Sequence, residues 1–192
     1  MFLRIITKRG ETMLYSYEDC KLKFGNDYQI QKVIEKGDIY KISPGIYSDK
    51  PNPSEIEIVS FKYPKAVFTS NSAFYYHSLT DTIPEQHYLG TPKDSAKITD
   101  INIKQVFYRD NVFGVGVTEM EYQNTTIKVY DLERMLIELI RNKKKMPFDL
   151  YKEIIENYRK RIDSLDIEKL QDYIAFFPKQ NHIFETIQLE VF

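Results

Sequence analysis

Apolar and polar positions along this chain change rhythm several times, and the most informative change lies between Met13 and Tyr47. A short apolar run, Met13 Leu14 Tyr15, leads into Ser16 with Asp19 three residues on, a pairing that satisfies the first free amides of a helix. Gly25 predicts its end. Asn26 or Asp27 then caps a second helix, in which Ile30, Val33 and Ile34 share one face while Tyr28 and Lys32, flanked by Gln29 and Gln31, look outward. Gly37 closes that helix, and Ile39 to Ile42 and Ile46 to Tyr47 read as two short strands around the turn Ser43 Pro44 Gly45. Upstream, Phe2, Leu3, Ile5 and Ile6 predict a first helix over residues 2–8. Helices, tight turn and hairpin in this order make a winged helix-turn-helix, a plan that binds DNA in some domains and docks protein in others.

Asp49 Lys50 Pro51 Asn52 Pro53 interrupts both helix and strand and sets the expected domain boundary, with a winged domain over 1–50 and a mixed α/β domain over 51–192. The fold class expected is therefore α+β. Ser54 with Glu57 predicts a helix to about Lys62, ended by Pro64. Ala66 to Thr69 reads as a buried strand. Ser70 or Asn71 caps a helix through Leu79, with Phe74, Tyr75 and Leu79 toward the core. Gln86 to Gly90, Ile103 to Tyr108, Gly114 to Tyr122 and Thr125 to Val129 are further strands, the last two joined by the turn Gln123 Asn124. Asp131 caps a helix bearing Leu132, Met135, Leu136, Leu139 and Ile140 on one face. Pro147 opens the next, with Phe148, Tyr151, Ile155, Tyr158 and Ile162 as its apolar face, and Asp166 caps another to about Phe177. The tail, with Ile183, Ile187, Leu189 and Val191, reads as a last strand or a loose end.

Composition narrows the classes. The chain has 192 residues, 42% hydrophobic and 29% charged, the balance of a folded protein with room for two cores. Its net charge of -1 argues against a protein that coats nucleic acid over its whole surface. Residues 1–50 hold nine Lys or Arg against seven Asp or Glu, so any electrostatic footprint is local. The single cysteine, Cys20, excludes an internal disulfide and reads as a small core residue. No apolar run approaches the ~18 residues of a membrane span, and Met1 Phe2 Leu3 Arg4 lacks a signal-peptide plan, so a cytoplasmic protein without a membrane partner is expected.

Three blocks resemble the AbiEi-type antitoxins. The first is Gly37 Asp38 Ile39 Tyr40 Lys41 Ile42 Ser43 Pro44 Gly45 Ile46 Tyr47, similar to the close of that family's winged domain. The second comprises Tyr63 to Val67, Ser72 to Asp81 and Pro84; the third is Tyr130 to Leu136. The resemblance implies an antitoxin of a type IV toxin–antitoxin system linked to abortive phage infection. Such a protein represses its own operon through the winged domain and counters a nucleotidyltransferase-like toxin without a stable complex. The toxin's own signature, Gly-Ser with a spaced Asp-x-Asp, is absent, so the chain reads as the antitoxin half. It departs from the pattern in having one lysine in the wing, Lys41, and no arginine in the second helix, where relatives are richer in arginine.

For DNA, the candidate residues are Asn26, Tyr28, Gln29, Gln31, Lys32 and Lys41, because amide side chains match adenine edges and lysine neutralises phosphate or reads guanine. The partner expected is operator DNA, with inverted repeats if two winged domains pair on it. The basic runs Arg141 to Lys145 and Arg159 to Arg161 are further phosphate candidates or ordinary solvated faces. Asp131, Glu133 and Arg134 are antitoxicity candidates, although a helix cap and an ion pair already account for them. Catalysis and cofactors are not expected. His77, His87 and His182 lack metal-site spacing, Glu119 and Glu121 read as surface strand positions, and there is no Glu-x-Lys, no Gly-rich phosphate loop and no Gly-x-Ser-x-Gly. A solitary winged-helix regulator without a toxin is the alternative reading.

Overall fold

In the computed structural model, which describes residues 12–192, local capping chemistry sets most helix starts. Ser16 and Asp19 form a reciprocal capping box at the head of α1 (Tyr17–Phe24), and Gly25, with φ +102°, ends that helix by donating its N–H to the Lys21 carbonyl. The Asn26 side chain accepts from the Gln29 amide and starts α2 (Asp27–Glu35). Ahead of α1 lies β1 (Leu14–Ser16), and after α2 come β2 (Tyr40–Ser43) and β3 (Ile46–Ser48). The three strands form one antiparallel sheet in the order β1-β3-β2, with Tyr15 opposite Tyr47 and Lys41 opposite Tyr47 on the other side. Leu14 to Ser16 is therefore a strand and not merely part of an apolar lead into α1. Cys20, Ile30, Ile39 and Tyr47 form the core beneath, flanked by Tyr15, Tyr17, Phe24, Val33 and Ile34.

A second capping box, Ser54 with Glu57, heads α3 (Glu55–Lys62) as the spacing predicts. The chain divides into two units, one running to Pro64 and including 123–125, the other comprising 65–122 and 126–192. The Pro51 to Pro53 break falls between β3 and α3. The helix expected over residues 2–8 lies outside the described residues.

The second unit is built on a five-stranded mixed sheet in the order β6-β5-β4-β8-β7, where β4 is Val67–Phe68, β5 His87–Pro92, β6 Ile103–Tyr108, β7 Val117–Tyr122 and β8 Thr125–Tyr130. β4 runs antiparallel to β5 and parallel to β8, while β5 and β6 are parallel. Gln123 and Asn124 both take positive φ, +49° and +64°, as a two-residue hairpin turn requires. The strand predicted from Gly114 begins only at Val117, because α5 (Asp110–Phe113) and its exit turn occupy the residues before it. Helix α4 (Ser70–Tyr76) is preceded by Thr69 at the N-cap, not by Ser70 or Asn71, and Thr69 makes no side-chain cap. Its hydroxyl instead bonds the buried Tyr108 hydroxyl at 2.8 Å.

Helix α6 (Leu132–Asn142), capped by Asp131, is buried along the whole of residues 133–140, and α4, α8 and α9 pack against it. Helix α7 (Phe148–Arg159) buries Tyr151, Ile154, Ile155 and Tyr158. Phe148, expected on that face, is 73% exposed, because it is the first helical residue and projects before the packed turns begin. Asp166 caps α8 (Ile167–Ile174). The tail forms α9 (Gln180–Glu190), which corrects the strand-or-loose-end reading: Ile183, Ile187 and Val191 recur at a helical spacing of four and are buried, whereas Leu189 is 82% exposed.

Candidate functional site

Two sets of residues, one in each unit, carry the sequence-based expectations. In the first unit, burial of Ile30 fixes which side of α2 faces inward. The direction opposite Ile30 is then shared by Tyr28 and Lys32, one turn apart. Tyr28 is 63% exposed and the Lys32 ammonium lies 4.5 Å from its ring centroid, a surface cation–π pair. Gln29 and Gln31 are exposed on either side. They differ in engagement: Gln31 donates to Glu35 at 3.3 Å, and no described residue bonds the Gln29 side-chain amide. Asn26 is committed to the helix start through its Oδ1, 3.1 Å from the Gln29 amide nitrogen. Asp27 accepts from the Tyr17 hydroxyl and so ties α2 to α1. Lys41 is exposed on β2. Cys20 is fully buried, and burial, reinforced by the Asp19 charge, pushes its thiol up to about 11, the behaviour of an inert core residue.

In the second unit, Asp131, Glu133 and Arg134 are brought together at the head of α6, and all three point into the protein. Arg134 has no exposed surface. Its guanidinium donates to the Val112 carbonyl at 2.7 Å, the Val115 carbonyl at 3.0 Å and Glu138 Oε1 at 2.9 Å. The rings of Tyr108, Tyr130 and Phe177 surround it, with centroids 4.5–5.1 Å from Cζ. A cation out of water needs each donor satisfied, and here the carbonyls exposed at the end of α5 supply the acceptors. Glu138 also receives Arg141 at 3.2 Å and the Asn142 side chain at 3.2 Å.

Asp131 Oδ1 accepts from the Arg134 amide, and its other oxygen receives Tyr173 at 3.0 Å and Lys169 at 3.0 Å. Lys169 also lies 3.2 Å from Glu133, whose second oxygen accepts from the Asp166 amide at 3.0 Å. Burial works to lower the Lys169 pKa, but the two carboxylates prevail and raise it, so its ammonium is a fixed counter-ion rather than a nucleophile. Burial and the Asp131 charge push the Tyr173 hydroxyl up to about 12. His77 sits beside this cluster, its Nε2 2.7 Å from the Tyr130 carbonyl.

Sequence reasoning found the Asp131 cap but missed Glu138, which the i,i+4 spacing from Arg134 could have signalled, and Lys169 and Tyr173, which spacing along α6 does not reveal. The basic residues of both runs stay at the surface, Arg161 alone being half-buried, and several are engaged within the protein. Arg159 donates to the Glu190 carbonyl, Arg161 to the carbonyls of His77 and Ser78, and Lys143 pairs with Glu190. Lys144 and Lys145 remain exposed on a 3-10 turn. Among the described residues no group of His, Cys, Asp and Glu is placed to hold a metal, and no helix is long and apolar enough to cross a membrane. No family model matches this chain, and no curated protein matches it either.

Proposed function

We infer that the first unit is a winged helix-turn-helix that binds operator DNA, and that the chain is the antitoxin and autorepressor of a type IV toxin–antitoxin pair. The observation that carries this reading is the arrangement of the first unit. A strand, two helices in tight succession and a hairpin fold so that β3 lies between β1 and β2, and the second helix keeps its outer face of Tyr28, Gln29 and Lys32 free of packing. A helix so supported enters a major groove while the hairpin with Lys41 steadies the phosphate backbone. The resemblance of three sequence blocks, spread from Gly37 to Leu136, to AbiEi-type antitoxins supports the antitoxin assignment and with it a nucleotidyltransferase-like toxin as functional partner.

The test is growth of cells expressing the adjacent reading frame, with and without the full chain, together with a reporter driven by the chain's own promoter. Restored growth and a repressed reporter are expected. Repression without rescue would sink the antitoxin assignment and leave the solitary regulator. One observation favours that second reading: Asp131, Glu133 and Arg134, which lie in the domain the family associates with antitoxicity, are used up in internal contacts.

A further inference from the structure

The outer face of α2 is divided lengthwise into two columns of opposite character. Residues four apart stack along one side of a helix, so Asp27, Gln31 and Glu35 form one column, and Tyr28, Lys32 and Lys36 form the next. The first carries two carboxylates, and its glutamine amide is turned onto Glu35 at 3.3 Å. The second carries two ammonium groups, one seated over the Tyr28 ring at 4.5 Å. Gln29 borders the lysine column on the side away from the acids, and its amide is unengaged by any described residue. Ile30 is buried beneath, so none of the outer side chains supports the core.

A polyanion approaching this helix is attracted along the lysine column and repelled along the acidic one, and that fixes how the helix rolls in a groove. The roll brings Tyr28 and Gln29 to the base edges and turns Gln31 away. A glutamine amide matches the N6 donor and N7 acceptor of adenine, while an aromatic ring supplies apolar contact for the thymine methyl group. Resting on the DNA-binding reading above, we propose that Gln29 and Tyr28 read A·T pairs in the major groove, with Lys32 on the neighbouring phosphate. Gln31 and Asn26 contribute nothing to base choice. Asn26 acts through the helix start alone.

The test uses the full chain and a duplex selected by it from a randomised pool. At each adenine of the selected site, 7-deazaadenine removes the N7 acceptor, and at each thymine, uracil removes the methyl group. One deaza position is expected to weaken the wild-type protein about ten-fold and to leave Gln29→Ala unaffected. One uracil position is expected to weaken the wild type and not Tyr28→Ala. Gln31→Ala should keep the wild-type response at every position. All three side chains are exposed, and circular dichroism checks that the variants fold. Loss of base preference in Gln31→Ala with its retention in Gln29→Ala would overturn the proposal, as would a selected site indifferent to both modified bases. Absence of any salt-sensitive duplex binding is a different failure, one that removes the DNA reading and this inference with it.

Discussion

Arg134 offers the sharpest test of how the second unit is held together. Arg134→Met keeps the length and apolar stem of the side chain but removes the guanidinium. The Val115 carbonyl then loses its donor, the Val112 carbonyl keeps the Val115 amide, and Glu138, whose side chain is 6% exposed, keeps Arg141 and Asn142 as partners. Removing one partner of a buried ion pair costs about 3–5 kcal/mol where the other charge is left bare; here Arg141, 3.2 Å from Glu138, stays as a partly exposed counter-ion, so the low end of that range applies. The unpaired Val115 carbonyl acts in the same direction at about 1–3 kcal/mol, although relaxation makes such figures less than additive. The loss expected is therefore about 3–4 kcal/mol, a large part of the stability of an ordinary domain. Denaturant unfolding followed by near-ultraviolet circular dichroism of the tyrosines reads it, since the chain has no tryptophan and Tyr108 and Tyr130 lie against the guanidinium. The double variant Arg134→Met with Glu138→Leu should recover part of the loss by removing the carboxylate that has lost its buried partner. A single variant within about 1 kcal/mol of wild type would show that the cluster behaves as a solvated pair and would refute the argument. The same variant bears on function: any loss of growth rescue should track loss of folding, because a side chain without exposed surface does not touch a toxin.

Further outcomes follow from other contacts. Gly116 has φ +76°, and a β-carbon there would lie 2.5 Å from the Arg134 Cβ, so Gly116→Ala should cost about 2–4 kcal/mol in the same assay. Burial opposes ionisation of Glu190, yet bonds from Lys143 and Tyr151 win and lower its pKa below the ordinary 4.5. Its stabilisation is thus present above that value and lost as pH falls through the lower folded pKa, a loss that Glu190→Gln should remove from a plot of unfolding free energy against pH. For His77, burial lowers the pKa below 6.5 despite the Tyr130 carbonyl. The unfolded chain then binds the proton more tightly, so stability should fall as pH drops below about 6.5; NMR titration of the imidazole should place its midpoint below the ordinary 6.5. Lys32→Ala should weaken operator binding and reduce the slope of log affinity against log salt by about one, and an unchanged slope would remove Lys32 from the phosphate contacts.

What could be read from the chain alone was local. The boxes Ser16 with Asp19 and Ser54 with Glu57, the caps Asn26, Asp131 and Asp166, and the turn at Gln123 and Asn124 appear where their spacing predicts, because each is satisfied within three or four residues by its own backbone. The exposed face of α2 was legible for the same reason, once Ile30 marked the inward side. The pairing of β1 with β3 was not, since three residues of apolar character carry no signal of a partner more than thirty residues away. The tail misled because Leu189 completes an apparent alternation although it faces water, and only packing against α6 and α8 selects Ile183, Ile187 and Val191 as the buried set. Most of all, tertiary structure decided the fate of the charges. Asp131, Glu133, Arg134 and Glu138 have the composition of a solvated helix surface, and they became interior groups because Lys169, Tyr173 and two carbonyls converge on them from other parts of the chain, joined by Arg141 from their own helix. A charge is buried where partners replace its water, and helical spacing writes only some of them, such as Glu138 for Arg134, while the distant ones are not written in its neighbourhood.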